Sequence, residues 1–122
     1  MKHVYSFEKL DVWKYAKELA IDVYHLTNQL PSEEKYGLVS QIRRSAFSVP
    51  ANISEGSSRL SDKSQGNFYQ IAYSSLLELY NHLVIVTDLN LIEEPREIYK
   101  KVYAVTRMLN GLYKSTQKGQ KC

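Results

Sequence analysis

The chain has 122 residues, enough for one domain with a single hydrophobic core. Its composition, 43% apolar and 24% charged, is typical of a soluble globular protein, and a net charge of +3 is too small to imply nucleic-acid binding. The only cysteine, Cys122, excludes a disulfide framework and favours a reducing, cytoplasmic location. The sequence predicts neither a signal peptide nor a membrane span.

The spacing of apolar residues predicts four helices and no strand, in one domain over residues 1–122. The helices are expected at about 7–29, 33–58, 62–90 and 94–117, with Ser61 or Asp62 as the N-cap of the third. Pro50 lies inside the second helix and predicts a kink there. Because short connections join antiparallel neighbours, the fold class is all-α, an antiparallel up-down-up-down four-helix bundle.

Helices two and three each carry a row of polar residues at three- and four-residue spacing. The first row is Gln41, Arg44, Ser48, Asn52 and Glu55, and the second is Asn67, Gln70, Ser74, Glu78 and Asn81. In an antiparallel hairpin that turns near residue 61, Arg44 faces Glu78 and Ser48 faces Ser74. We therefore predict a structural polar zipper that fixes the register of the hairpin and contains a partly buried ion pair. The alternative is an accidental match of two surface stripes.

The third helix is apolar over more of its circumference than one core requires. One of its two apolar rows is Tyr69, Tyr73, Leu76, Tyr80 and Leu83. A helix of this kind is buried on more than one side, which predicts a homo-oligomer. The ten tyrosines of the chain fit core or subunit contacts, and base stacking on exposed rings is the functional alternative.

Basic residues dominate the end of the chain, where six Lys or Arg and no acid follow Tyr99. One interpretation is a solvated helix face whose cations suit the C-terminal helix dipole. The other is a surface for phosphate or for acidic protein. The candidate nucleic-acid contacts are Arg43, Lys100, Lys101, Arg107, Lys114 and Lys118.

No motif indicates catalysis, a metal or a cofactor. Asp22 with His25 has the spacing of a carboxylate–histidine pair, and Glu78 with His82 is four apart, but the two Glu-x-x-His units of a di-iron bundle are missing. The chain has no glycine-rich phosphate loop and no nucleophile elbow. We therefore predict that the protein is not an enzyme.

Four segments together resemble a known family: SFEKLDVWKYAKELA, QIRRSAFSVPANISEG, AYSSLLEL and RMLNGLYKS. They are similar, in this order, to the bacterial 23S rRNA intervening-sequence protein family, or S23 family. The second segment is the most specific. Ser45 and Ser54 stand where the family usually has alanine, and Ser74 where it usually has glycine.

The resemblance implies a four-helix bundle that assembles as a ring-like homopentamer. Some members are encoded within inserts in 23S rRNA genes; the biochemical role of the family is not established, and no catalytic residues can be carried over. A more distant relative, the accessory protein of diversity-generating retroelements, is a basic pentamer that engages nucleic acid. By this analogy the first hypothesis is an oligomeric protein that binds RNA or DNA. The second is a structural scaffold or adaptor for a protein partner, without nucleic-acid contact.

Overall fold

The computed structural model describes residues 5–117, which form four α-helices and no strand. The helices are α1 (Asp11–Leu26), α2 (Ser40–Ser57), α3 (Asp62–Asp88) and α4 (Arg96–Ser115). Short helical turns precede and follow α1, and a further pair precedes α2. The predicted all-α bundle is confirmed, with helix boundaries that differ most around α1 and α2.

The first predicted helix is divided into three pieces. A 3-10 turn (Ser6–Lys9) comes first, then Leu10 in extended backbone, then α1, and a second 3-10 turn (Thr27–Gln29) ends the segment. The carboxylate of Glu8 accepts a hydrogen bond of 2.9 Å from the backbone N–H of Tyr5, which closes the first turn on itself. Such local pairing competes with continuation of the regular helix.

The start of the second predicted helix is also irregular. A 3-10 turn (Ser32–Glu34) leads into a π-helical turn (Lys35–Val39), and only then does α2 begin. The wider turn buries Val39 and leaves Tyr36 89% exposed. Pro50 lies within α2, and Asn52 donates 2.8 Å to the carbonyl oxygen of Ser48 just before it, so polar side chains support the backbone near the proline.

The third and fourth helices keep their predicted places more closely. Ser61 is the N-cap of α3, and its hydroxyl accepts a hydrogen bond of 3.1 Å from the N–H of Ser64. The helix stops at Asp88 because Asn90 has a left-handed backbone, with φ of 62°. Pro95 precedes the first turn of α4, where its missing N–H costs nothing.

Each helix packs against two others, in the cyclic order α1, α2, α3, α4. The contacts between neighbours join the start of one helix to the end of the next, or the two midpoints. Such pairs are Arg43 with Thr27, Ser48 with Ser75, Lys101 with Asp22, and Gln70 with Tyr113. The contacts of α1 with α2, of α1 with α4 and of α3 with α4 join opposite ends of the two helices, which is compatible with the expected up-down-up-down order.

One core runs through the bundle and is built from the predicted apolar stripes. Its fully buried side chains include Leu19, Ile42, Ile53, Leu76, Leu79, Leu83 and Leu109. Tyr69 also lies in this core, and Tyr73 and Tyr80 pack against it. The row expected at a subunit interface is thus largely used inside the subunit. The apolar residues that α3 exposes are different ones: Ile71, Leu77 and Ile85.

Candidate nucleic-acid interface

The outward face of α4 carries a line of exposed cations. They are Arg96, Lys100, Arg107 and Lys114, here called the α4 basic row, and they lie opposite the buried side of the helix. Their spacing of four and seven residues keeps them on one face, over roughly 27 Å at 1.5 Å per residue. Glu97 is the only acid in α4, so this face is positively charged.

The first half of the α4 basic row is partly neutralised by nearby acids. Arg96 pairs with Glu94 at 3.1 Å and Lys100 with Glu97 at 3.3 Å, and all four side chains are exposed. Exposed pairs of this kind are worth little and exchange readily for other anions. Within residues 5–117, Arg107 and Lys114 form no ion pair, so the half of the row near the end of α4 is open to an external anion.

Two of the six predicted nucleic-acid contacts do not belong to this face. Lys101 points towards α1 and forms an ion pair with Asp22. The hydrogen bond to Asp22 is the main reason why the pKa of Lys101 is raised, although partial burial acts in the opposite direction. Lys101 is therefore a helix–helix contact, because its charge is already compensated. Lys118 lies outside the described residues.

Arg43 is the second residue that the structure reassigns. Its Nε donates 2.8 Å to Oγ1 of the buried Thr27, and its Nη2 donates 3.1 Å to Oδ1 of Asn28 and 3.4 Å to the carbonyl of Tyr24. The guanidinium also lies 3.9 Å from the centre of the Tyr24 ring. A cation at a helix C-terminus compensates the partial negative charge of the last carbonyls. Arg43 of α2 thus caps the C-terminal end of α1 and is not a phosphate contact.

An aromatic cluster adjoins the α4 basic row. Tyr80 of α3 lies against two tyrosines of α4, with ring centres 5.2 Å from Tyr99 and 6.4 Å from Tyr103. Tyr99 is partly buried, whereas Tyr103 is 60% exposed and lies between Lys100 and Arg107 along the helix. The charged face therefore includes one large ring. The sequence pattern indicated stacking on exposed tyrosines in general, and nothing in it distinguished Tyr103 from the others.

Of the predicted polar zipper, only the contact at its centre is present, and there Ser48 meets Ser75 instead of Ser74. The hydroxyl of Ser48 bonds that of Ser75 at 2.8 Å, one residue beyond the predicted Ser74, which is exposed. Asn52 donates 2.9 Å to the same Ser48 oxygen. Ser48, Ser75 and Asn52 thus form a polar cluster between α2 and α3. Among residues 5–117, no other cluster between these two helices is defined by side-chain hydrogen bonds.

The remaining zipper pairs are absent among the described residues. Arg44 and Glu78 are both exposed and form no ion pair with each other; Glu78 instead lies 3.3 Å from Nε2 of His82 in its own helix. The other exposed members are Gln41, Glu55, Asn67, Gln70 and Asn81. Gln70 donates to the hydroxyl of Tyr113 of α4 at 2.9 Å, on the side of α3 away from α2. The predicted buried ion pair was wrong, because the α3 row points outwards.

The carboxylate–histidine pairs do not form a metal centre in the described part of the chain. Asp22 is engaged by Lys101, and Glu78 with His82 has no third ligand nearby. Within residues 5–117, no group of three or more His, Cys, Asp or Glu side chains is placed to hold a metal ion. In the same range, no helix is long and apolar enough to cross a membrane.

The family model described as 23S rRNA-intervening sequence protein matches residues 8–111. The chain belongs to this family. The match runs from the first helical turn through most of α4, so it includes Tyr103 and all of the α4 basic row except Lys114. The resemblance noted in the sequence is thereby confirmed.

A solved structure of the same family has the same fold. It is the crystal structure of a protein of unknown function from the S23 ribosomal protein family of Bacteroides thetaiotaomicron, 25% identical to this chain. The similarity covers 84% of this chain and 98% of that one, with a TM-score of 0.77. No curated protein matches the chain. Together with the family match, this similarity supports the bundle architecture of the 23S rRNA-intervening sequence protein family.

Proposed function

We propose that this member of the 23S rRNA-intervening sequence protein family is a non-enzymatic, cytoplasmic protein that binds nucleic acid through the outer face of α4. The observation that carries the proposal is the α4 basic row: four exposed cations on one helix face that has a single acid nearby on the same helix. Phosphate contacts by Lys and Arg supply most of the affinity of sequence-independent binding.

RNA is the first ligand to test. The family is described by the intervening sequences of 23S rRNA, and the exposed cations of α4 lie in a line along one face of the helix. An acidic protein is the alternative ligand, since tyrosine and arginine are also enriched at protein interfaces.

The proposal predicts binding that weakens steeply as salt is added. Two to four phosphates neutralised by the α4 basic row give a slope of log K against log salt of roughly −1.5 to −3.5. Fluorescence anisotropy with labelled RNA and DNA, measured from about 50 to 200 mM salt, determines this slope. Absence of binding at the lowest salt, or an affinity independent of salt, contradicts the proposal. Pull-down of a protein partner that survives nuclease treatment would instead favour the scaffold function.

We also propose that the chain forms a homo-oligomer through the outer face of α3, with the pentamer implied by the family resemblance as the expected size. Ile71, Leu77 and Ile85 lie on the outer half of this helix and are each about half exposed, at 49%, 50% and 43%. Large aliphatic side chains on one exposed face favour association, since covering them removes apolar area from water.

Light scattering tests this arrangement directly. A pentamer of the 14.1 kDa chain has a mass of about 70 kDa. We expect the double variant Leu77→Glu, Ile85→Glu to lower the mass towards that of one chain, because carboxylates cannot be buried unpaired. Leu60→Glu is the matched control, since Leu60 is fully exposed in the α2–α3 turn. A wild-type mass of 14 kDa, or a double variant that stays assembled, contradicts the proposed interface.

A further inference from the structure

We infer that the α4 basic row binds single-stranded rather than double-stranded nucleic acid, and that one unpaired base stacks on Tyr103. The inference rests on the proposed function and names its ligand more narrowly. It depends on the position of one aromatic ring among the cations of α4, and on how that ring is held.

Tyr103 is exposed but anchored. Its ring is tilted by 43° against Tyr80, which is itself packed against Tyr99 and the core. A hydrogen bond with Tyr103 is the main reason why the pKa of Tyr80 is raised above its ordinary value. Because the Tyr80 ring supports it on one side while 60% of its surface is open to solvent, the Tyr103 ring loses little conformational entropy when a flat ligand stacks on it.

Two exposed cations flank Tyr103 on the same face of α4. Lys100 is three residues before Tyr103 and Arg107 is four residues after it, so both are on the same helix face one turn away. Asn110 is exposed on the next turn and adds a hydrogen-bonding group. An aromatic platform with a positive track on both sides is the arrangement by which proteins hold single strands without sequence preference.

A duplex cannot use this arrangement fully. In a double helix the faces of the bases are covered by their neighbours, so the Tyr103 ring would meet only sugar and phosphate. A surface that binds duplex through phosphate alone gains nothing from a large apolar ring at its centre. The presence of Tyr103 between two cations therefore favours an unpaired base.

Tyr36, the most exposed tyrosine of residues 5–117, provides a contrast. Tyr36 is 89% exposed and lies 5.7 Å from the ammonium of Lys35, but Glu33 and Glu34 precede it in the chain. These acids repel a phosphate backbone. Tyr36 thus has the exposure of a stacking platform without a positive track, which makes it the matched control for Tyr103.

The test compares Tyr103→Leu, Tyr103→Phe and Tyr36→Leu for binding to a labelled, unstructured U-rich RNA of about 12 nucleotides and to a duplex of the same length. At about 50 mM salt we expect the wild type to prefer the single strand. Tyr103→Leu should weaken single-strand binding by at least about fivefold and leave duplex binding unchanged, because one stacked base is lost. Tyr103→Phe and Tyr36→Leu should stay within about twofold of the wild type for both RNAs.

The results separate this inference from the proposed function. If neither RNA binds at low salt, the proposed function fails and the inference fails with it. If both RNAs bind with a steep salt dependence but Tyr103→Leu equals the wild type on the single strand, the inference alone is overturned. Preference for the duplex overturns it as well. Circular dichroism of each variant checks that the bundle is intact.

Discussion

Replacing Gly56 by alanine is expected to lower the free energy of unfolding by about 2 kcal/mol. A Cβ atom at Gly56 would lie 2.6 Å from Cε1 and 2.9 Å from Cδ1 of Tyr69, and 3.0 Å from Cβ of Phe68. The Tyr69 ring is 3% exposed, so it cannot turn away into solvent. Either α2 and α3 move apart at this point, or the core around Tyr69 is strained.

Gly111→Ala is the matched control for this prediction. Gly111 is also helical, but within residues 5–117 no atom outside its own stretch of helix backbone lies within 4 Å of a Cβ added there. Alanine should therefore stabilise the protein by about 0.5–1 kcal/mol, since glycine loses more backbone entropy on folding. Urea denaturation at one protein concentration measures both variants. A Gly56→Ala protein as stable as Gly111→Ala would mean that α2 and α3 are not closely packed at Gly56.

The second large effect is expected from removing charge on α4. The triple variant Lys100→Gln, Arg107→Gln, Lys114→Gln should bind single-stranded RNA about 100-fold more weakly near 100 mM salt, because three phosphate contacts are lost. The slope of log K against log salt should become less negative by about 2, because each phosphate contact of a single strand contributes about 0.7 to it. The fold should be unaffected, since these side chains are exposed and Arg107 and Lys114 form no ion pair within residues 5–117.

A variant of equal net charge distinguishes a site from a general charge effect. Lys14, Lys17 and Lys35 are exposed and lie outside α4, two of them in α1 and one in the turn before α2. Their joint replacement by glutamine should leave the salt slope nearly unchanged, because screening limits the influence of charges more than about 10 Å away. Equal losses in the two triple variants would show that net charge, rather than the α4 basic row, determines binding.

The bundle itself could be predicted from the sequence because helix periodicity reports directly on burial. In α4, for example, Ile98, Val102, Val105, Leu109 and Leu112 have the spacing of one helix face; the first four are buried, and Leu112 is partly buried against the core. The Ser61 cap of α3 was predicted for the same kind of reason: a short polar side chain stands immediately before a periodic segment.

The helix contacts could not be predicted to the same accuracy. A shift of one residue rotates a helix position by 100°, and the pairing of Ser48 with Ser75 instead of Ser74 is such a shift. Periodicity identifies the residues that face inwards but not the neighbour that each polar residue meets. This limitation explains why the row from Asn67 to Asn81 was assigned to α2 although it points outwards.

The contacts of the long basic side chains could not be predicted from the sequence either. Lys101 and Arg43 were selected for their charge, and each extends across a helix–helix boundary to a partner distant in the chain, Asp22 or Thr27. The expected antiparallel pairing of neighbouring helices could have indicated these contacts. An arginine near the start of α2 must lie close to the end of α1, where free carbonyl groups need a donor.

The Arg43 cap has a consequence for how the bundle opens. Because the carbonyl of Tyr24 and the hydroxyl of Thr27 accept hydrogen bonds from Arg43 of α2, the final turn of α1 loses this support whenever the beginning of α2 detaches. The two segments should therefore fray as one cooperative unit, and hydrogen exchange of their backbone amides should give a common free energy of opening. The end of α1 and the beginning of α2 should therefore open together, although they belong to separate helices.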